Sequence, residues 1–398
     1  MILAATKHPR RCPRRCGRLF FQVFLALFLT GGSAFSRDIE TVRVGVCLSM
    51  TGEFSDYGAV NFAGIKLFAD NANAQANVNG IRYDLVLRDD GSSAQTAADI
   101  TRELAEDGIQ VIIGPVTSPL MLAMSEVTKE FPVVLISPGA TSPKIDKNHR
   151  WCFKILPGDD YQGVALARFF ARQMGTRRAA ILVNEHFDYG RYLANAFSEV
   201  YQQMGGEITL HETYDWDLGA DTLPNFRDIL SKIDATEPEV ILLPGYAKEA
   251  VECIGQAEGM DIDALFVGGD SWLNHQDIFQ AGPRLDDSYY IGNGEIYAGT
   301  AEARIFGALM DASQDPNLQP YSIDGYDSML LVAKAVESGA RTAEEIREKL
   351  LSLRRFPLAT GTITFDEENG VAKTMYIYRI VAGNGDMYAE MVARHDPE

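Results

Sequence analysis

Two strand ends in this sequence finish in small and hydroxyl residues directly ahead of a helix, and these residue types suit anion binding. VIIGPVTSPL places Thr117 and Ser118 at a helix start, and VVLISPGATSP places Gly139, Ala140 and Thr141 at the end of the next strand. Free backbone N–H groups at a helix terminus, helped by a hydroxyl, hold a carboxylate well, although the same residues also serve as ordinary caps. Further on, Tyr189, Tyr246 and Asp270 fall at or near the C-terminal ends of strands, the rim where open parallel sheets take ligands. Asp270 is the acid best placed to pair with a cation, because the preceding LFVGG carries no other charge; its competing role is to cap a helix over SWLNHQ. Tyr246 follows Gly245 into a helix at an exposed position that favours a ligand contact over rim packing.

Residues for catalysis are harder to find. The first loop, GVCLSMTGEFSDYG, has the wrong glycine spacing for a dinucleotide fingerprint, and GxxxxGK[ST], GxSxG and HExxH are all missing. Beyond His8 near the N-terminus, the histidines at 149, 186, 211, 275 and 395 are scattered, with no pair at metal-ligand spacing. The acidic stretch DWDLGAD at 215–221 fails the calcium-loop pattern and reads as a solvated turn. No enzyme activity, metal or cofactor is expected.

The elements that must position the candidate residues alternate in period. TVRVGVCLSM, IRYDLVLRDD, VIIG and VVLIS read as strands, and helices with a 3.6-residue apolar stripe lie between them. VIIG has no polar side chain, as expected of a parallel strand buried on both faces. After WCFKILPGDD breaks the pattern the series restarts, with AAILVN, ITLHETY, EVILLPG and ALFVGGD as strands. Two serial α/β sets predict two lobes, each a parallel sheet flanked by helices. The remainder, with strand YYIGNG, three helices and a hairpin over 362–380 turning at EENG, is too short for a third lobe and completes the first two. Segments 37–157 and 291–360 are expected to build lobe 1, and 158–290 and 361–398 lobe 2. The repeated crossings form a three-segment hinge with a ligand cleft between the lobes.

The chain of 398 residues carries a formal net charge of -19, which argues against nucleic acid or an anionic bilayer as partner. Its first 36 residues run the other way: Lys7, Arg10, Arg11, Arg14, Arg15 and Arg18 precede the apolar run LFFQVFLALFLT and the small residues of GGSAFS. This order predicts a secretory signal peptide at 1–36, cleaved near Ser36, and a mature protein in the periplasm. The apolar run is well short of the roughly 20 residues that span a bilayer. Cys47, Cys152 and Cys253 are too far apart for a disulfide scaffold or a metal cluster, and Cys47 and Cys253 read as small buried apolar side chains.

Taken in order, VRVGVCLSMTGEFSDYG, the NGI at 79–81, LVLRDDG, IIGPVTS, SPGATSP, FDYG, LPGY and GTITFDEENG resemble the leucine/isoleucine/valine-binding protein family. These are type I periplasmic binding proteins serving branched-chain amino-acid ABC transporters. The resemblance implies a monomeric receptor that captures an amino acid, branched-chain or similar, and delivers it to permease subunits. It also assigns roles: Tyr57 closes over the ligand, while Ser118, the backbone at Gly139 and Ala140, and Thr141 hold the α-carboxylate. Tyr246 and Asp270 receive the α-ammonium, and Tyr189 and Tyr321 lie against the ligand side chain. The family's branched-chain members commonly have Glu at position 270 and Phe at position 321, and the cysteines some members carry near the cleft are replaced by Gly91 and Thr117. Tyr321 adds a hydroxyl to an otherwise apolar wall, so a polar, aromatic or amide-containing ligand is a further expectation. The alternatives are a binding protein for an aromatic or organic acid, urea or a short amide, or an enzyme acting on a small amide.

Overall fold

In the computed structural model, residues 38–397 are described except 146–148, 217–221, 261, 273–277, 279, 295–298 and 384–385. The signal peptide expected at 1–36, His275 and most of the DWDLGAD stretch lie outside the described residues. Strand β1 (Glu40–Leu48) is buried from Val44 onward because it has a neighbour on each side. Helix α1 (Ser55–Ala74) leads to the first neighbour, β2 (Ile81–Asp89), which pairs with it in register Val44↔Leu85. Helix α2 (Ala94–Glu106) starts where the Ser93 hydroxyl accepts the Thr96 N–H, and buries Ala97, Ile100, Thr101 and Leu104 as one stripe. Strand β3 (Val111–Ile113), helix α3 (Ser118–Val127), β4 (Val134–Ser137) and β5 (Cys152–Lys154) complete a parallel sheet of order β2-β1-β3-β4-β5.

The second series repeats the plan: α4 (Asp159–Arg168), β6 (Arg178–Asn184), α5 (Asp188–Gln203), β7 (Glu207–Tyr214), α6 (Arg227–Asp234), β8 (Val240–Leu242), α7 (Ala247–Ala257), β9 (Leu265–Gly268) and β10 (Tyr289–Gly292). Helices α8 (Ala301–Ala312), α9 (Ile323–Glu337) and α10 (Ala343–Ser352) then precede the short strands β11 (Phe356–Leu358), β12 (Gly361–Phe365) and β13 (Val371–Ala372). The long strands β14 (Met375–Gly383) and β15 (Asp386–His395) end the chain. The second sheet has the order β15-β14-β10-β9-β8-β6-β7, parallel from β10 to β7 and antiparallel at β14 and β15.

The expected α/β architecture of two parallel sheets flanked by helices is present, and Cys47, Cys152 and Cys253 are all buried thiols. The division of the tail needs correction. Strand β10 lies wholly in the second sheet, so its residues 291 and 292 do not pass to lobe 1. Ile363 and Phe365 of β12 pack in the core of the first sheet with Val336 of α9 and Leu350 of α10, so lobe 1 runs past residue 360. The hairpin at EENG pairs β12 with only the two residues of β13, and β14 leaves to pair with β10, where Met375 and Ile377 join the second core.

The chain therefore passes between the sheets at 155–158, after β10, and at 373–374. These passages are tied to one another. The buried Lys373 ammonium donates to Ile155 O at 3.2 Å, and the Tyr378 hydroxyl donates to Asn293 O at 2.9 Å. Asn293 hydrogen-bonds Asp324, while Asp327 accepts the N–H groups of Ala359 and Thr360 at 2.7 and 3.0 Å. Burial lowers the Lys373 pKa, and the charges of Asp327 and Asp324 oppose that shift. Among the described residues no helix is long and apolar enough to cross a membrane.

Candidate functional site

The C-terminal ends of β3 and β4 form the first wall of the site. Gly114 makes a cis peptide with Pro115 at φ 118°, and a Cβ there would lie 1.9 Å from Cys47 O, so the turn beside β1 accepts only glycine. Ser137 stitches the two loops together: its hydroxyl donates to Pro115 O (2.5 Å) and accepts from the Ala140 and Gly139 N–H groups (2.8 and 3.3 Å). The Ser118 hydroxyl likewise accepts from the N–H groups of Thr141 and Ser142, both at 3.1 Å. Two hydroxyls on this wall, Thr117 Oγ1 and Thr141 Oγ1, are buried and have no hydrogen-bond partner among the described residues.

The second wall comes from β9, α7 and the start of α5. Tyr189 leaves helical geometry (φ -58°, ψ 135°), and Gly190 follows at φ 88°, which turns the Tyr189 ring into the cleft side of the sheet. Its hydroxyl is within hydrogen-bond reach of both Ser271 Oγ (2.7 Å) and Asp270 Oδ1 (3.1 Å). Tyr246 stacks on Tyr189 with centroids 5.1 Å apart. Tyr246 is only 8% exposed, which corrects the exposed position read from the sequence: Phe54 from the first lobe covers its other side, at 5.1 Å. Asp270 opens a 3-10 turn, Asp270–Trp272, and its N–H donates to Gln162 Oε1 at 3.3 Å.

Burial pushes Asp270 up to about 6, against the hydrogen bonds of Tyr189 and Gln162. Asp159, at the start of α4, is wholly buried, with no hydrogen-bond partner on either oxygen among the described residues. Burial first and the charge of Asp270 second push Asp159 up to about 8; Thr141 is close enough to oppose this but lies outside hydrogen-bond geometry. Two neighbouring buried carboxylates of this kind favour either a shared proton or an incoming cation.

The walls face each other across a cavity of about 230 Å³. From the first lobe the structure brings Tyr57, Ser118, Gly139, Thr141 and Tyr321 to its lining, and from the second Tyr189, Tyr246 and Asp270. Ala140 is the exception: it is 1% exposed, sits off the lining, and its N–H is held by Ser137. This end of the cavity thus presents hydroxyls more than free backbone donors. Sequence reasoning passed over Asn61 and Asp324 on the lining, and Asp159 and Gln162 behind it. The available signal for Asn61 and Asp324 was a polar residue on an otherwise buried helix face.

Besides the Phe54–Tyr246 ring contact, polar contacts among the described residues span the cleft. The Tyr57 hydroxyl donates to Ser271 O at 3.0 Å, Lys248 pairs with Glu53 at 2.8 Å, and Lys144 pairs with Asp188 at 2.6 Å. They hold the two lobes in a closed arrangement over the cavity.

Known proteins share this architecture. The leucine-, isoleucine-, valine-, threonine- and alanine-binding protein of Pseudomonas aeruginosa is 23% identical over 362 residues, covering 86% of this chain and 90% of that protein. A Leu/Ile/Val-binding protein homolog of Brucella abortus is 24% identical over 354 residues, covering 88% and 92%. Among solved structures, the branched-chain amino-acid transporter substrate-binding protein LivJ of Streptococcus pneumoniae, in complex with isoleucine, superposes with a TM-score of 0.78 at 28% identity. It covers 89% of this chain and 99% of its own. A solute-binding protein of an R. palustris ABC transporter, in complex with 4-hydroxybenzoate, reaches a TM-score of 0.79 at 18% identity, covering 90% and 98%. The sequence profile described as periplasmic binding protein matches residues 41–385, and the chain belongs to that family.

Proposed function

We propose that this protein is the periplasmic solute-binding component of an ABC transporter and that it captures an amino acid between its closing lobes, with no chemistry of its own. The observation that carries this reading is the opposition of two unlike walls. A buried carboxylate, Asp270, stands on one side of the cavity, and the unpartnered hydroxyls of Thr117 and Thr141 stand on the other. A zwitterion matches both: its ammonium pairs with Asp270 and its carboxylate takes the hydroxyls of Thr117, Ser118 and Thr141. Tyr57 spans the cleft, and Tyr189, Tyr246 and Tyr321 form an aromatic surround. Contacts to both lobes favour the closed form, and permease subunits recognise that form. On this reading residues 1–36 are the export signal, removed near Ser36.

An aromatic acid is the second reading, favoured by the tyrosines around the cavity and by relatives of this fold solved with hydroxybenzoates. It uses the hydroxyl end but leaves Asp270 buried without a cation, an unfavourable arrangement unless that group is protonated. Native mass spectrometry of freshly purified mature protein, followed by a thermal-shift screen of amino acids, urea, amides and aromatic acids, separates the two. An amino-acid mass or stabilising hit supports the proposal; stabilisation only by acids lacking an amino group sinks it.

A further inference from the structure

Away from Asp270, the cavity wall is built by α1, α9 and the turn before α9. The two helix backbones touch: a Cβ on Gly64 would lie 1.7 Å from Ser322 O, and one on Gly325 would lie 2.0 Å from Asn61 O. Their close approach brings Asn61 and Asp324, the chain neighbour of Gly325, onto the same lining. Asn61 is 8% exposed; its Nδ2 donates to Tyr57 O at 2.9 Å, which leaves Oδ1 as an acceptor with no partner. Asp324 is 7% exposed, with Oδ1 taken by Asn293. The Tyr321 hydroxyl gives its proton to Gln319 Oε1, so it too faces a solute as an acceptor.

This end of the cavity is therefore rich in acceptors, and its charge has one sign. Asp56, Asp270 and Asp324 line the cavity, whereas no Lys, Arg or His does among the described residues. Behind Asp324, the single ammonium of Lys373 interacts with two carboxylates, Asp324 and Asp327, and donates to Ile155 O. A zwitterionic head group on Asp270 and the hydroxyl end leaves Asp324 and Asp327 sharing the one ammonium of Lys373, a net negative charge at this end. Burial pushes Asp324 up to about 7, and a neighbouring cation would bring it back down. A leucine-like side chain would instead desolvate Asn61 Oδ1 and Asp324 with nothing in return.

We propose that the solute is an amino acid whose side chain carries a positively charged nitrogen, received by Asp324 and Asn61. This inference rests on the amino-acid reading above and narrows it to a basic side chain.

The test uses protein freed of bound solute by unfolding and refolding, then titrated calorimetrically with ornithine, lysine, arginine, glutamine, leucine and 4-hydroxybenzoate. A basic amino acid is expected to bind at least about tenfold more tightly than leucine or glutamine. Asp324→Asn should reduce that affinity by at least about tenfold. Asn61→Leu, which leaves Asp324 in place, should reduce it severalfold and serves if Asp324→Asn does not refold. Leucine or glutamine binding as tightly as the best basic amino acid overturns the inference and leaves the amino-acid reading standing. Basic amino-acid binding that neither substitution weakens also overturns it. Binding confined to 4-hydroxybenzoate, or to none of the six, overturns both.

Discussion

The two walls of the cleft differ in chemistry. On the first, the loops after β3 and β4 are neutral at the cavity and tied to each other through Ser118 and Ser137. On the second, Asp270 sits in a buried network of Tyr189, Gln162 and Ser271, with the unsatisfied Asp159 behind it. The first wall is held in shape by its own hydrogen bonds. The second holds two buried carboxylates, and among the described residues no Lys, Arg or His lines the cavity. The strand-end loops of the first wall thus offer hydroxyls and the second wall buried carboxylates, while Asp56 and Asp324 of the first lobe bring further acids to the cavity.

The largest effect should come from removing the charged half. Asp270→Ala is expected to weaken the preferred amino acid by at least about tenfold, as for a lost charge-assisted contact, while circular dichroism shows the fold intact. An unchanged dissociation constant in calorimetry would break the contrast between the walls.

Stability against pH sharpens the same contrast. Burial raises Asp159 to about 8, Asp324 and Glu249 to about 7, and Asp270 to about 6. Each group is protonated more readily in the folded state than in the unfolded chain. Its contribution is therefore fully present below about pH 4 and is lost as pH rises through its folded value. Ion-paired Asp188, whose pKa is lowered, acts in the opposite sense at lower pH, and His149 and His211, lowered by burial, offset part of the fall just below their ordinary value. The Tm of solute-free protein should accordingly fall between about pH 5 and pH 8. Differential scanning calorimetry showing a rise over that window would mean these carboxyls are hydrated in the folded protein.

On the neutral wall, Thr141→Val keeps the shape and removes one hydroxyl. Calorimetry should show a loss of about threefold to tenfold, the scale of a single hydrogen bond. Smallest of all, Lys248→Ala removes a partly exposed ion pair from the rim and should weaken binding about twofold, with the difference shrinking in high salt.

Much of this arrangement was legible in the residues. Period-2 and period-3.6 patterning marked the two strand–helix series, and position at strand ends selected Ser118, Thr141, Tyr189, Tyr246 and Asp270. Family resemblance added Tyr57 and Tyr321, which no local pattern marks. What stayed hidden depends on long-range packing. Ala140 looked like a free donor because its partner, Ser137, is held in place by Pro115 on another loop. Tyr246 looked exposed because Phe54, far away in the chain, covers it. Asn61 and Asp324 became neighbours on one wall only through the touching backbones of α1 and α9. The tail was divided wrongly because apolar strands for either core read alike until their partners are known.

That division has a consequence for synthesis. The first core contains Val44 and Val46 from the start of the chain, but also Leu331 and Val332 of α9, Leu350 of α10 and Phe365 of β12. A chain emerging N-terminus first cannot finish this lobe until nearly all of it has left the ribosome. Nor can it finish the second, whose sheet is closed by β14 and β15. Until that late stage the nascent polypeptide keeps apolar faces uncovered, and neither core is complete before the last strands have been made.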